Sequence, residues 1–221
     1  MNVGNSSGVD TSVGIAIKMA DSDFKAGQWD DSETASYIDD TTDAQDAGTN
    51  DFALTTTTNN DGFVIQCKDK FNLVGLTISQ AAEGSPVFLY EYFNGTSFVT
   101  LSQVLDTPVL TGLGDTYLTF LTPSDFAPIP AGNSLATTDG LTVGYYAIRM
   151  KATTAPSTAA LASVIWTAAV DDYLEKLSDG SVSILEEPDI LRVLPGRSIM
   201  PYFADADEGN YAIVKYSLKS S

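Results

Sequence analysis

Any chemistry in this chain has to come from carboxylates, one thiol and aromatic faces. The 221 residues contain 29 Asp and Glu, one Cys and no His. Without imidazole the commonest general base and metal ligand is missing, and so is every triad that relays a proton through His. Carboxylate doublets remain, at Asp30/Asp31, Asp39/Asp40, Asp171/Asp172 and Glu186/Glu187. A glycosidase needs two carboxyl groups facing each other across roughly 5–10 Å of cleft. Adjacent residues on a strand point to opposite faces, so no doublet makes such a pair alone. The chain therefore reads as a non-enzyme that needs no cofactor. Metal binding has one candidate, "DADEG", which sets Asp205, Asp207 and Glu208 before a glycine. It lacks the closing Glu of a twelve-residue calcium loop and reads first as an acidic turn, with calcium as the chemical alternative.

Cys67 is the only cysteine, which excludes a disulfide framework and a thiolate metal site. In "GFVIQCKDKF" it shares one face of an alternating strand with Phe63 and Ile65, so it is expected to be a buried, inert thiol. The other chemical candidate is "YEYFNGTSFVTL", residues 90–101. Asn94-Gly95 signals a two-residue hairpin with a type I′ turn. Alternation puts Phe88, Tyr90 and Tyr92 on one face of its first strand, and Val87, Leu89, Glu91 and Phe93 on the other. One face must be core. Outward-facing rings among Tyr92, Phe93 and Phe98 would make a platform for a sugar ring. Arg149, in "YYAIRMK", is expected to meet a carboxylate, with Asp125 or Asp106 available.

The elements that must position these residues are nearly all strands. Short alternating segments are expected at about 52–57, 62–67, 72–80, 86–93, 97–101, 116–121, 143–152 and 162–168, separated by Gly-, Asn-, Asp- and Pro-rich turns. This spacing implies an all-β chain, a jelly-roll-like two-sheet sandwich over residues 51–168. Residues 12–20 form a first strand. Residues 21–51 are acidic and weakly patterned apart from Phe24, Trp29 and Tyr37, which suggests that residues 1–50 are an N-terminal strand and an extended arm. An aromatic in a polar arm needs a surface to bury against, so those three are the expected partner contacts. Residues 169–221 are read as a short helical connector, from Val170, Tyr173, Leu174 and Leu177 at helical spacing, followed by a small β extension from "SVSIL", "DILRVL", "RSIMPYF" and "NYAIVKYSL".

The net charge of −18 argues against nucleic acid, which requires clustered Lys and Arg. No apolar run approaches the roughly 18 residues that cross a bilayer, so no membrane partner is expected. Acid is concentrated at the ends: residues 1–51 hold 11 acids against 2 bases, whereas residues 52–170 hold 8 against 4.

The order "EYFNGTSFVTLSQVLDTP", "LTFLTPSDFAPIP" and "GYYAIRMKATTAPS" resembles a β-sandwich module of tailed-bacteriophage virion structural proteins. In that module a Tyr-Trp-Asn-Gly-x-x-Trp strand precedes a Phe-x-x-Pro-x-Asp-Trp segment and a Gly-Tyr-(Trp or Tyr)-x-Arg strand. The resemblance spans about residues 50–168, with Phe at 93, 98 and 126 where the module more often has Trp. It implies a non-catalytic virion protein on the particle surface. Head decoration is the expected role, because the chain has no coiled-coil heptads or repeated shaft segments. The implied partners are the major capsid protein or other virion proteins, and further copies of this chain. A glycan- or receptor-binding module of a tail fibre or baseplate is the alternative.

Overall fold

A computed structural model describes residues 2–4, 11–48, 51–170, 175–177, 182–184 and 198–203. The first elements are β1 (Asn2–Gly4), β2 (Thr11–Lys18), a 3-10 turn at Asp21–Asp23, β3 (Phe24–Trp29), β4 (Tyr37–Asp39) and α1 (Thr41–Gln45). Next come β5 (Phe52–Ala53), β6 (Gly62–Cys67), β7 (Leu73–Gln80), β8 (Val87–Phe93), β9 (Phe98–Thr100), β10 (Val104–Asp106) and β11 (Gly114–Phe120). A four-residue helix, α2 (Ser134–Thr137), precedes β12 (Tyr146–Thr154) and β13 (Leu161–Val170). Three short strands follow: β14 (Glu175–Leu177), β15 (Val182–Ile184) and β16 (Ser198–Phe203).

The chain divides into two compact units, one of residues 19–168 and one of residues 1–18 with 169–221. The larger is a two-sheet sandwich. One sheet has the order β10-β11-β7-β13, with β5 antiparallel to β13, and the other has the order β4-β3-β6-β12-β8-β9. From β5 to β13 the chain changes sheet at every connection except the hairpins β8–β9 and β10–β11. Antiparallel partners are nested: β5 with β13, β6 with β12, β7 with β11, and β8 with β9. This is a long two-stranded ribbon rolled onto itself, which is jelly-roll connectivity.

Alternation decides what lies between the sheets. Phe63 of β6 meets Phe52 of β5 edge-on at 6.1 Å, so Phe63, Ile65 and Cys67 face inward together. At one end of the core Phe126 touches Phe71, Phe120, Tyr92 and Tyr146, with ring centroids 5.2–6.3 Å apart. Such edge-on contacts add to the area that each ring buries. All six residues of β6 are buried, because both of its faces are covered.

Two expectations need correction. Residues 24–48 are not an extended arm, since β3 pairs with β6 along its whole length and β4 pairs with β3. Two of the acids that make this stretch look like an arm bind nearby backbone amides. Asp30 accepts hydrogen bonds from the Ser32 amide and hydroxyl, and Asp39 accepts them from the Thr41 amide and hydroxyl. Gly27 is needed because the Tyr37 ring lies across it, and a Cβ there would collide with that ring and with the Ile38 carbonyl. The second correction concerns the connector. β13 runs on to Val170, and Glu175–Leu177 pair as a strand with β2 rather than forming a helix.

In the smaller unit β2 pairs antiparallel with β14 and β16, and β1 pairs with β15. The N-terminal strand β2 therefore joins strands of the C-terminal β extension. "DILRVL" and "NYAIVKYSL" lie outside the described residues.

A buried Trp29 separates a sandwich strand from a free arm. Trp29→Ala is expected to cost about 3–5 kcal/mol, read as a lower midpoint in urea unfolding, whereas a ring on a detached arm would leave the midpoint within about 0.5 kcal/mol of wild type.

Candidate functional site: the covered outer face of the aromatic hairpin

The aromatic hairpin lies in the sheet β4-β3-β6-β12-β8-β9, and a strap formed by residues 121–145 crosses that sheet's outer face. Ile129, Leu135, Ala136 and Leu141 from the strap pack with Trp29, Tyr37, Val64, Phe93, Phe98 and Ala147. Hydrogen bonds pin the strap along its length. The Ala127 amide donates to the Phe93 carbonyl at 3.2 Å, the Asn133 side-chain amide to the Thr96 carbonyl at 3.1 Å, and the Thr142 amide to Gln66 Oε1 at 2.7 Å. Asn133 also accepts from the Leu135 amide and so caps α2. Gly144 turns the strap into β12 at a φ of +82°, a conformation that favours glycine.

Inside this layer sits a charge. Arg149 is bound by Glu91, with Nε at 2.8 Å and a terminal nitrogen at 2.6 Å from the same carboxylate oxygen. The two side chains are only 11% and 9% exposed. Cross-strand pairing of β12 with β8 sets Arg149 opposite Glu91. The guanidinium also stacks between two rings, 4.6 Å from the centre of Trp29 and 4.4 Å from that of Phe98. The expected carboxylate is thus present but is neither Asp125 nor Asp106. Asp125 accepts a 2.7 Å hydrogen bond from the Tyr92 hydroxyl, which raises the Tyr92 pKa. Asp106 lies near Tyr90, whose pKa is pushed up to about 12 by burial and then by that carboxylate.

The sequence-selected residues fall into three groups. Phe24, Trp29 and Tyr37 are buried inside their own sandwich and cannot anchor a partner. Phe93 is fully buried and Phe98 is half-buried against Trp29 and Arg149, so these rings do not form an exposed platform. Tyr92 is half-buried, with its hydroxyl engaged by Asp125. Asp205, Asp207 and Glu208 lie outside the described residues. Among the described residues no group of three or more His, Cys, Asp or Glu side chains is placed to hold a metal ion.

The hairpin forms, but its turn differs from the expected one. Phe93 pairs with Phe98, leaving a four-residue loop in which the Asn94 side chain accepts from the Thr96 and Ser97 amides. Only Gly95 has positive φ, at +96°. Asn94 acts here through its side-chain oxygen rather than through the left-handed backbone of a type I′ turn. Cys67 is buried, and burial raises its pKa, away from a reactive thiolate.

No protein-family model, curated protein or solved structure matches this chain.

Two outcomes test this geometry. Glu91→Ala leaves a desolvated guanidinium and is expected to cost about 3–5 kcal/mol in denaturant unfolding. Arg149→Lys should also destabilise, because an ammonium neither forks onto Glu91 nor stacks between the rings. Tyr90 makes a pH prediction. Its folded pKa of about 12 lies above the ordinary value of 10.0, so the folded state holds a proton that the unfolded chain releases. Stability from this group is complete below the lower value and is lost as pH rises through the higher one. Tyr90→Phe should flatten the fall in stability over that window, and an unchanged fall would contradict it.

Proposed function

We propose that this chain is a non-enzymatic virion structural protein of a tailed bacteriophage, a head decoration or auxiliary capsid protein on the outer surface of the particle. One observation carries the reading. The residues on which the resemblance rests converge in space, and each is used to hold the sandwich. Phe93 and Phe98 pack beneath the strap, Asn94 closes the hairpin, and Arg149 is fixed by Glu91. Asp125 and Phe126 meet Tyr92, and Phe126 meets Tyr146. A motif spent on folding suits a protein whose work is to be a durable shell component.

In that role stabilisation comes from surface buried between neighbours, not from chemistry. The contacts to the major capsid protein and to further copies of this chain must come from surfaces other than Phe24, Trp29 and Tyr37. The acidic exterior keeps free subunits apart before assembly.

Immunogold labelling of intact virions with antibody to this chain tests the reading. Label spread over the head is expected. Label confined to the tail tip would overturn head decoration in favour of a receptor- or glycan-binding part, and unlabelled particles would overturn the virion assignment.

A further inference from the structure

Asn94-Gly95 is the only Asn-Gly step in the chain. Glycine has no side chain to obstruct its own nitrogen, so its amide reaches the preceding side-chain carbonyl more readily than any other residue's. The loop between β8 and β9 depends on both residues. Asn94 Oδ1 accepts from the Thr96 and Ser97 amides, each at 3.0 Å. Gly95 stands at a φ of +96°, which a residue with a Cβ adopts only under strain.

The way the pair is held favours reaction between its members. The two amides on Oδ1 polarise the side-chain carbonyl, and they sit where negative charge develops when a nucleophile adds to Cγ. Among the described residues neither the Gly95 amide nor Asn94 Nδ2 donates a hydrogen bond, so the attacking and leaving nitrogens are both unengaged. Both residues are partly exposed to water. Two other asparagines are held differently. The amide that follows Asn59, that of Asn60, is tied to the Ala152 carbonyl at 2.7 Å. Asn133 commits its own side-chain nitrogen to the Thr96 carbonyl.

We propose that Asn94 is a site of spontaneous covalent modification, converted to aspartate through a cyclic succinimide while the protein stays folded. The Gly95 nitrogen attacks Asn94 Cγ and forms a C–N bond as it gives up its proton. The Cγ–Nδ2 bond breaks, and Nδ2 leaves as ammonia with that proton. Water then adds to one of the two ring carbonyls and reopens the ring, so one water is consumed for each ammonia released. Addition at Cγ restores the backbone with aspartate at this position. Addition at the backbone carbonyl routes the chain through the side chain as isoaspartate. The aspartate product suits the loop, because an ionised oxygen accepts the same two amides more strongly. Isoaspartate lengthens the backbone between the Phe93 and Thr96 carbonyls, which anchor the strap through Ala127 and Asn133. The proposal concerns the purified chain and does not rest on the virion reading.

Ageing the folded full chain in warm, mildly alkaline buffer is the test, with peptide mapping by mass spectrometry and a parallel sample held in denaturant. In the folded chain Asn94 is expected to convert on the order of tenfold faster than Asn59 or Asn133. An Asn94 that persists in the folded chain but converts in denaturant would overturn the proposal, because the loop would then protect the pair. Persistence in both samples would overturn it as well. Asn94→Asp should fold with a urea midpoint at or above that of wild type, and a lower midpoint would show that the loop does not accept the product. Asn94→Ser removes the side-chain amide and should abolish the acidic charge variant that appears on ageing. The same variant appearing at an undiminished rate in Asn94→Ser would place the reaction elsewhere and sink the assignment.

Discussion

A guanidinium taken out of water organises the outer layer of this sandwich. Arg149 stands in the middle of β12, and an unpaired cation there would cost several kcal/mol. Three segments distant in sequence meet that demand. β8 supplies the carboxylate of Glu91, β3 supplies the face of Trp29, and β9 supplies the face of Phe98. Each is useful only when its strand is in register, so the charge couples the hairpin, the central strand and the added strand β3 into one arrangement. The strap then closes over the result. Its Ile129 and Leu141 would have little to bury against without Phe93, Trp29 and Tyr37 already in place.

This dependence explains why the sheet carrying the hairpin buries both of its faces while the chain keeps a simple alternating pattern. The inner face is the ordinary core of a jelly roll. The outer face is made dry by a connection between β11 and β12 that covers it. Polar groups enclosed in this way need partners, and several have them: Gln66 Oε1 accepts from the strap at Thr142, and Asp61, buried beside β6, accepts from the Asp31 amide and the Thr56 hydroxyl, whereas the Trp29 indole N–H is buried without a hydrogen-bond partner among the described residues.

Much of the inner architecture is legible in the sequence, because period-2 alternation and turn residues report directly on a half-buried strand. β6, β7 and β8 stand within a residue of their expected places. The outer layer is not legible, for physical reasons that differ from residue to residue. β3 reads "FKAGQW", where Gly27 is small because the Tyr37 ring crosses it, and with Ala26 beside it the small residues erase the hydrophobic signal. The partner of Arg149 is hidden because Glu91 becomes its neighbour only through β12–β8 register, which no local pattern encodes. Asn94-Gly95 announces a hairpin correctly but not its loop length, since the Asn side chain can close a longer loop as well as a two-residue one.

The distribution of charge then has a consistent meaning. Acids lie in turns such as Asp30–Ser32 and Asp39–Thr41, where their side chains bind backbone amides and local structure benefits from them. On the strands they are fewer, with Asp106 half-buried in β10 and Asp115 exposed on β11, where it accepts from the Thr77 hydroxyl. A solvent-facing edge in so acidic a protein would ordinarily share that acid, which protects edges from unwanted pairing. At β10 a bulge and a proline add to the protection against open-ended strand addition.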